Sequence, residues 1–146
     1  VALKDEGWRL ALTAYPFRIT LPTRYGDMDS NAHLNNVAIA RLVEEARVRF
    51  HWRLRETVPD TSPGGIMIVH VAIDYLGEGA YPADVEAGVA VASVGGSSYR
   101  LAIGLFQAGS AIALADSVMV NLSPDRSGAA PVSADTRAAL EGYRHG

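Results

Sequence analysis

The sequence predicts an α+β fold in which one antiparallel sheet wraps around a single long helix. Three observations carry that prediction. Apolar residues recur at helical spacing through one long stretch, Val37 to Glu56. Four strand-like runs follow it with no second long helix between them. The last three of those runs are joined by connections only a few residues long.

In chain order, the first element is a strand. Tyr15 to Gly26 (YPFRITLPTRYG) alternates loosely between apolar and polar. Pro16 and Pro22 place it at an edge, because proline cannot donate to a ladder. In the helix, Ile39, Leu42, Val43, Ala46, Phe50 and Leu54 form an apolar stripe, and Arg41, Glu44, Glu45, Arg49 and Arg53 decorate the other side. Glu45 and Arg49 stand at i,i+4 in the favourable order. Pro59, Pro63 and the Gly64-Gly65 pair end it.

Next, IMIVHVAIDYL (Ile66 to Leu76) puts Met67, Val69, Val71, Ile73 and Tyr75 on one face by strand alternation. DVEAGVAVASV, YRLAIGLFQA and AIALADSVMVNL follow, separated by Gly95-Gly96-Ser97-Ser98 and Ala108-Gly109-Ser110, so the runs are predicted to form an antiparallel meander. The tail DTRAALEGY reads as a short amphipathic helix. A single domain over residues 1–146 accounts for the length, with a core at 14–125 and flanking segments at 1–13 and 126–146. So wide an apolar stripe needs a sheet that curls around it. The sheet's free edge and outer face, with apolar residues such as Ile68 and Ala72, favour a homo-oligomer.

Composition narrows the function. The chain is 49% apolar and 20% charged with a formal charge of −3, which provides no general attraction to nucleic acid or to an anionic membrane. It has no cysteine, which excludes thiol catalysis, disulfides and Cys-ligated zinc. No stretch approaches the roughly 18 continuous apolar residues of a membrane span. The opening VALKDEGWRLAL lacks the basic start and apolar run of a signal peptide, so a cytoplasmic location is expected.

The chemistry concentrates in RYGDMDSNAHLNN, Arg24 to Asn36, immediately before the helix. Asparagine, serine and aspartate are ordinary N-caps, and Asn35 or Asn36 alone would serve. A cap does not explain why a carboxylate and an imidazole, Asp29 and His33, stand four residues apart in the same loop. The first turn of a helix offers unpaired N–H groups and partial positive charge, a site for an oxyanion. A carboxylate just upstream could attack a carbonyl held there, or activate water to do so. A thioester suits that arrangement because its thiolate leaves readily, with no metal or cofactor required.

These residues resemble a family signature. Asp29-Ser30-Asn31-Ala32-His33-Leu34-Asn35-Asn36, preceded by Arg24-Tyr25-Gly26-Asp27, is similar to the motif of hotdog-fold acyl-CoA thioesterases of the 4-hydroxybenzoyl-CoA thioesterase type. The helical Glu-Glu-Ala-Arg, the DYLGEGAYPADV turn, the Gly-Ser-Ser and the late AIALADSVMVNL run extend the likeness along most of the chain. The resemblance implies that Asp29 is nucleophile or general base and that the Asn36 backbone N–H polarises the thioester. It implies loop-ordering or substrate-contacting roles for His33 and Asn35; Asp27, two residues earlier and on the opposite side of an extended chain, reads as structural. It further implies an acyl-CoA substrate, with acyl carrier protein as a second donor, and a homodimer or homotetramer whose site lies at a shared boundary.

Three departures stand out. Ala32 replaces the usual glycine, and its methyl resists a left-handed backbone. Ile39 replaces a common tyrosine, and Asn121 stands where an acid is common. Among other candidates, Ser97 and Ser98 read as closing a turn, with Ser98 also a candidate substrate contact. His70 reads as a core or interface histidine. His51 and His145 have no metal-ligand spacing. Arg100 and Arg126 read as solvated arginines, with contact to a nucleotide phosphate as the alternative. Two rival functions are a hotdog hydratase or dehydratase, whose catalytic His motif is not visible, and a non-catalytic acyl-thioester-binding domain, against which Asp29 argues.

Overall fold

The computed structural model describes residues 2–146; Val1, the first residue of the 1–13 flanking segment, lies outside the described residues. The elements are β1 (Phe17–Leu21), α1 (Asn36–Thr57), β2 (Ile66–Tyr75), β3 (Val85–Val94), β4 (Ser98–Gln107), β5 (Ser110–Asn121) and α2 (Ala134–Glu141). The strands form one sheet in the order β1-β3-β4-β5-β2, every neighbouring pair antiparallel.

Helix α1 lies across the concave face of this sheet. All six residues of its predicted stripe, Ile39, Leu42, Val43, Ala46, Phe50 and Leu54, are buried. They meet inward-facing alternate residues of the strands, including Val85, Ala87, Val89 and Val91 of β3 and Leu101, Ile103 and Leu105 of β4. The opposite side carries the predicted Glu45–Arg49 ion pair at 2.7 Å. The helix stops at Thr57, two residues before Pro59. Strand β1 is an edge strand bounded by Pro16 and Pro22, as their missing donors require.

The predicted four-strand meander holds only for β3, β4 and β5. Ala108 and Gly109, both at positive φ, make the tight reversal between β4 and β5 with the twist a two-residue hairpin demands. Strand β2 does not pair with β3. The nine residues between them carry the chain across the sheet, and β2 becomes the far edge, bonded to β5. Its face assignment also needs correction. The register slips between Ile68 and His70, a bulge at Val69 that strict alternation cannot reveal. Val71, Ile73 and Tyr75 therefore share the helix-facing side with Ile66 and Ile68, opposite inward residues of β5 such as Met119 and Ala115. Met67 falls on the outer side with Ala72. Met67, Val69, Val71 and Tyr75 remain about half exposed, and Ile68 is 37% exposed, so β2 is a long apolar edge.

The outer face is partly covered by the chain's own start. Short 3₁₀ turns over Leu3–Asp5, Gly7–Leu10 and Leu12–Ala14 lie across it. Tyr15 packs on the cross-strand pair Gly88 and Gly104, where a Cβ would come within 2.5 and 2.7 Å of its side chain. Arg9, 2% exposed, donates to Asp116 of β5 at 2.8 Å, and Arg100 donates to the other Asp116 oxygen at 3.0 Å. Arg100 is therefore an ion-pair residue rather than a merely solvated one. At the other end, α2 buries Thr136 and Leu140.

One polar contact ties α1 to the sheet. His51 Nδ1 lies 2.9 Å from the Arg47 carbonyl and Nε2 lies 2.7 Å from the Tyr99 hydroxyl. The carbonyl can only accept, so Nδ1 carries the proton and Nε2 accepts from Tyr99. Burial pulls the His51 pKa down to about 4; the hydrogen bond to the Arg47 carbonyl opposes this, and the Arg55 and Arg47 charges reinforce it. Above the ordinary value of 6.5 the ring is neutral whether the chain is folded or unfolded. Between there and about 4, only the unfolded chain gains the proton, so stability falls as pH drops, by up to ~1.4 kcal/mol per pH unit. In urea unfolding, the stability advantage of wild type over His51→Asn should therefore shrink between about pH 7 and about pH 4.5. A constant difference would show that folding does not depress the His51 pKa.

Candidate active site

The polar stretch folds into a compact loop that delivers the chain into α1. Its start is a 3₁₀ turn, Tyr25–Asp27, built around a buried carboxylate. Asp27, 2% exposed, accepts from the Arg24 backbone N–H at 2.8 Å, from the Arg24 guanidinium at 3.1 Å and from Arg41 of α1 at 2.8 Å. Burial alone would raise its pKa, but the hydrogen bonds from Arg24 and the charge and hydrogen bond of Arg41 outweigh that and hold it below the usual carboxylate range.

Beyond Asp27 the loop closes on itself. Met28 and Leu34 pair as an antiparallel bridge. The Asp29 N–H donates to the His33 carbonyl at 2.7 Å, and the Asn35 N–H donates to the Asp27 carbonyl at 2.8 Å. Asp29 itself is exposed. Its Oδ1 accepts from the backbone N–H groups of Asn31 at 2.9 Å and His33 at 3.1 Å. Its Oδ2 has no partner among the described residues. The carboxylate is thus held by one oxygen and open at the other.

Asn35 is the N-cap of α1, its Oδ1 accepting from the Ala38 N–H at 2.7 Å. Asn36 opens the helix and is exposed, as is Val37. Their N–H groups have no partner among the described residues, leaving the donors that a helix start cannot satisfy internally. His33 turns to the loop between β2 and β3, its Nε2 3.1 Å from Glu78 Oε2, and the Leu34 N–H donates to the Gly79 carbonyl at 2.9 Å.

The loop therefore gathers Asp29, His33, Asn35 and Asn36. Ser98 is not part of that group within one chain. It begins β4 beside Tyr99, which meets His51 fifteen residues along α1 from Asn36, about 22 Å at the helical rise. His70 is exposed on the outer side of β2, which rules out the core reading. Asn121 is a structural residue, its Nδ2 donating to the Ala130 and Pro131 carbonyls. Arg126 donates to the Gly64 carbonyl at 2.7 Å. Glu78, Gly79 and Arg41 are the supports that the sequence reading missed. Arg41 belonged to a helix face that looked wholly solvated, and the Glu78 and Gly79 contacts depend on where a distant loop lands. Among the described residues, no three His, Asp or Glu side chains are clustered so as to hold a metal ion, and no helix is long and apolar enough to cross a membrane.

The fold is the hotdog architecture, and the comparisons with known proteins make the chain a thioester hydrolase. The chain belongs to the thioesterase-like superfamily, whose family model matches residues 23–140. Among solved structures, it is similar to a predicted thioesterase from Bacillus stearothermophilus, with 25% identity over 88% of this chain and 96% of that one and a TM-score of 0.77. It is likewise similar to a thioesterase from Thermus thermophilus complexed with coenzyme A and zinc, with 25% identity over 89% and 95% of the two chains and a TM-score of 0.77. A Pseudomonas aeruginosa protein shares 26% identity over 93% and 96%, with a TM-score of 0.79. No curated protein sequence matches the chain.

Ala32 has the positive φ (61°) for which a glycine would be the ordinary choice. The methyl does not forbid that backbone. The loop tolerates it because the Ala32 N–H donates to the Asp29 carbonyl at 3.1 Å and the flanking ladder fixes both ends. Ala32→Gly should leave stability unchanged or raise it by up to about 1 kcal/mol, while β-branched Ala32→Val should lower it by at least about 1 kcal/mol. Urea midpoints measure both, and a neutral Ala32→Val would show that the loop does not hold this conformation in solution.

Proposed function

We propose that the protein hydrolyses acyl-CoA thioesters, with Asp29 supplying the carboxylate and the Asn36 backbone N–H supplying the oxyanion donor. One observation carries this reading: a carboxylate anchored through Oδ1 and open at Oδ2 lies on a loop that leads directly into unpaired amides at a helix start. The open oxygen can attack the thioester carbonyl, or take a proton from an attacking water, as nucleophile or general base. Negative charge then develops on the carbonyl oxygen, where the helix terminus offers N–H groups and positive potential. The C–S bond breaks and the CoA thiolate leaves; the general-base route gives the free acid directly, and the nucleophilic route gives an Asp29 acyl anhydride that water then cleaves to the acid. His33 and Asn35 act through position, His33 by holding the loop to Glu78 and Asn35 by fixing where the helix begins. A coenzyme A complex of a solved thioesterase that is 25% identical supports CoA as donor.

The apolar edge of β2 supports an assembly in which two copies join their sheets and so shape the site together.

Thiol release across a panel of acyl-CoAs tests the reaction. Asp29→Asn keeps the side chain's size but removes the charge, so kcat should fall by roughly 10²-fold or more with little change in binding. Full turnover by Asp29→Asn would remove Asp29 from the mechanism.

A second pair of variants tests the amide. Asn36→Ala keeps the backbone N–H, whereas Asn36→Pro deletes it at a position where proline fits a helix start. Alanine should leave substantial activity and proline should lose roughly 10²-fold or more, the scale of one oxyanion donor. Equal rates in two folded variants would assign the oxyanion to another group.

A further inference from the structure

A second polar feature lies further along α1, facing β2. Asn36, Ala40, Glu44, Arg47, His51 and Arg55 recur at spacings of three or four and so form one row running from the helix start. Between that row and β2 is a cavity of about 200 Å³ lined by Arg47, Val48, His51, Arg55, Ile66 and Ile68. Val48, Ile66 and Ile68 make the aliphatic half of its lining and Arg47, His51 and Arg55 the polar half, of which His51 is already satisfied. His51 uses both ring nitrogens, on the Arg47 carbonyl and the Tyr99 hydroxyl.

Neither guanidinium has a hydrogen-bonded protein partner among the described residues, and both reach solvent at the mouth of the cavity. The Arg47 side chain is only 11% exposed, yet it makes no hydrogen bond among the described residues, and its nearest carboxylate, Glu44, is 3.7 Å away and mostly solvated. Burial accordingly works against its charge and lowers its pKa. Arg55, at the exposed end of the row, has no ion pair among the described residues. Arg47 thus has a largely covered stem, a single loose ion pair and a guanidinium still free to take a closer anion. Such a cation, with a second one beside it at the same half-aliphatic cavity, forms a receptor for an anion that arrives on an apolar stem.

We propose that Arg47 and Arg55 bind a carboxylate at the far end of the substrate's acyl chain, so that the preferred substrates are thioesters of ω-carboxylated acids. The inference rests on the acyl-CoA reading above. Arg47 lies eleven residues beyond Asn36, about 16 Å along the helix, a distance a medium-length acyl chain spans. The aliphatic half of the lining and the small volume suit methylenes ending in a carboxylate. They do not suit the larger and wholly polar phosphates of the CoA nucleotide.

Dodecanedioyl-CoA and dodecanoyl-CoA, equal in length and different only at the tip, provide the test. Wild type should favour the dicarboxylic thioester in kcat/KM by about 10-fold or more, the scale of hydrogen bonds to a charged group. Arg47→Met and, at an exposed position that the core does not depend on, Arg55→Gln should each pull that ratio toward one, with Arg47→Lys retaining part of it. Calorimetric binding of the same two thioesters to Asp29→Asn, with and without Arg47→Met, reads the preference without turnover. A binding preference lost with Arg47, together with a wild-type chain that hydrolyses neither thioester, would sustain the anion site and defeat the thioesterase reading. Ratios near one in wild type, for binding and turnover alike, overturn the anion site while leaving hydrolysis intact. An Arg47→Met chain that changes mass by light scattering but keeps the wild-type ratio would also overturn it, because the cation would then serve a contact between subunits.

Discussion

The arrangement of the site depends on one buried carboxylate. Asp27 is nearly inaccessible to water, and it binds the turn that precedes the loop and the second turn of α1 at once, through Arg24 and Arg41. Its carbonyl receives the Asn35 N–H, so the same residue also fixes the loop's exit. A charge in such a position is stable only when its partners are complete, and removing one leaves it uncompensated. That all-or-none character gives Asp29, two residues along, a fixed relation to the helix start. The exposed carboxylate needs a rigid neighbour because its own anchors are two backbone amides of a surface loop.

Elements defined by local chemistry were legible in the sequence. The apolar stripe of α1, its stop before Pro59, the two short hairpins and the edge position of β1 follow from periodicity, proline and turn residues, and each is present. Contacts between distant segments were not legible. Nothing in IMIVHVAIDYL specifies β5 as its partner, and a bulge at Val69 cannot be read from an unbroken run of strand formers. The cover over the outer face is of the same kind. Gly88 and Gly104 are single glycines in separate strands, and only their cross-strand pairing makes them a seat for Tyr15.

The site divides in the same way. Asp29, His33, Asn35 and Asn36 could be read together because they are adjacent in sequence and their spacing matches a helix entrance. Arg41 could not, since its place among alternating charges on α1 resembled a solvated face. Ala32 illustrates a limit of residue preference. Its methyl disfavours positive φ by an amount that a closed ladder on both sides can overcome, so the backbone keeps the glycine-like shape with a different residue.

The position of β2 implies an order of assembly. Strands β3, β4 and β5 meet through two tight connections, whereas Ile66 must find Asn121 across fifty-five residues of chain. Closing so long a loop has to precede any contact it rewards, so the meander and α1 can form a nucleus before β2 arrives. Until then β5 has one unsatisfied side, and a ten-residue strand rich in Ile, Val and Met is free to pair elsewhere. The segment with the most surface to offer a second copy is thus also the one whose delay most exposes the chain to mispairing. Its bulge and its His70 and Asp74, which break an otherwise apolar run, are the features that limit that hazard.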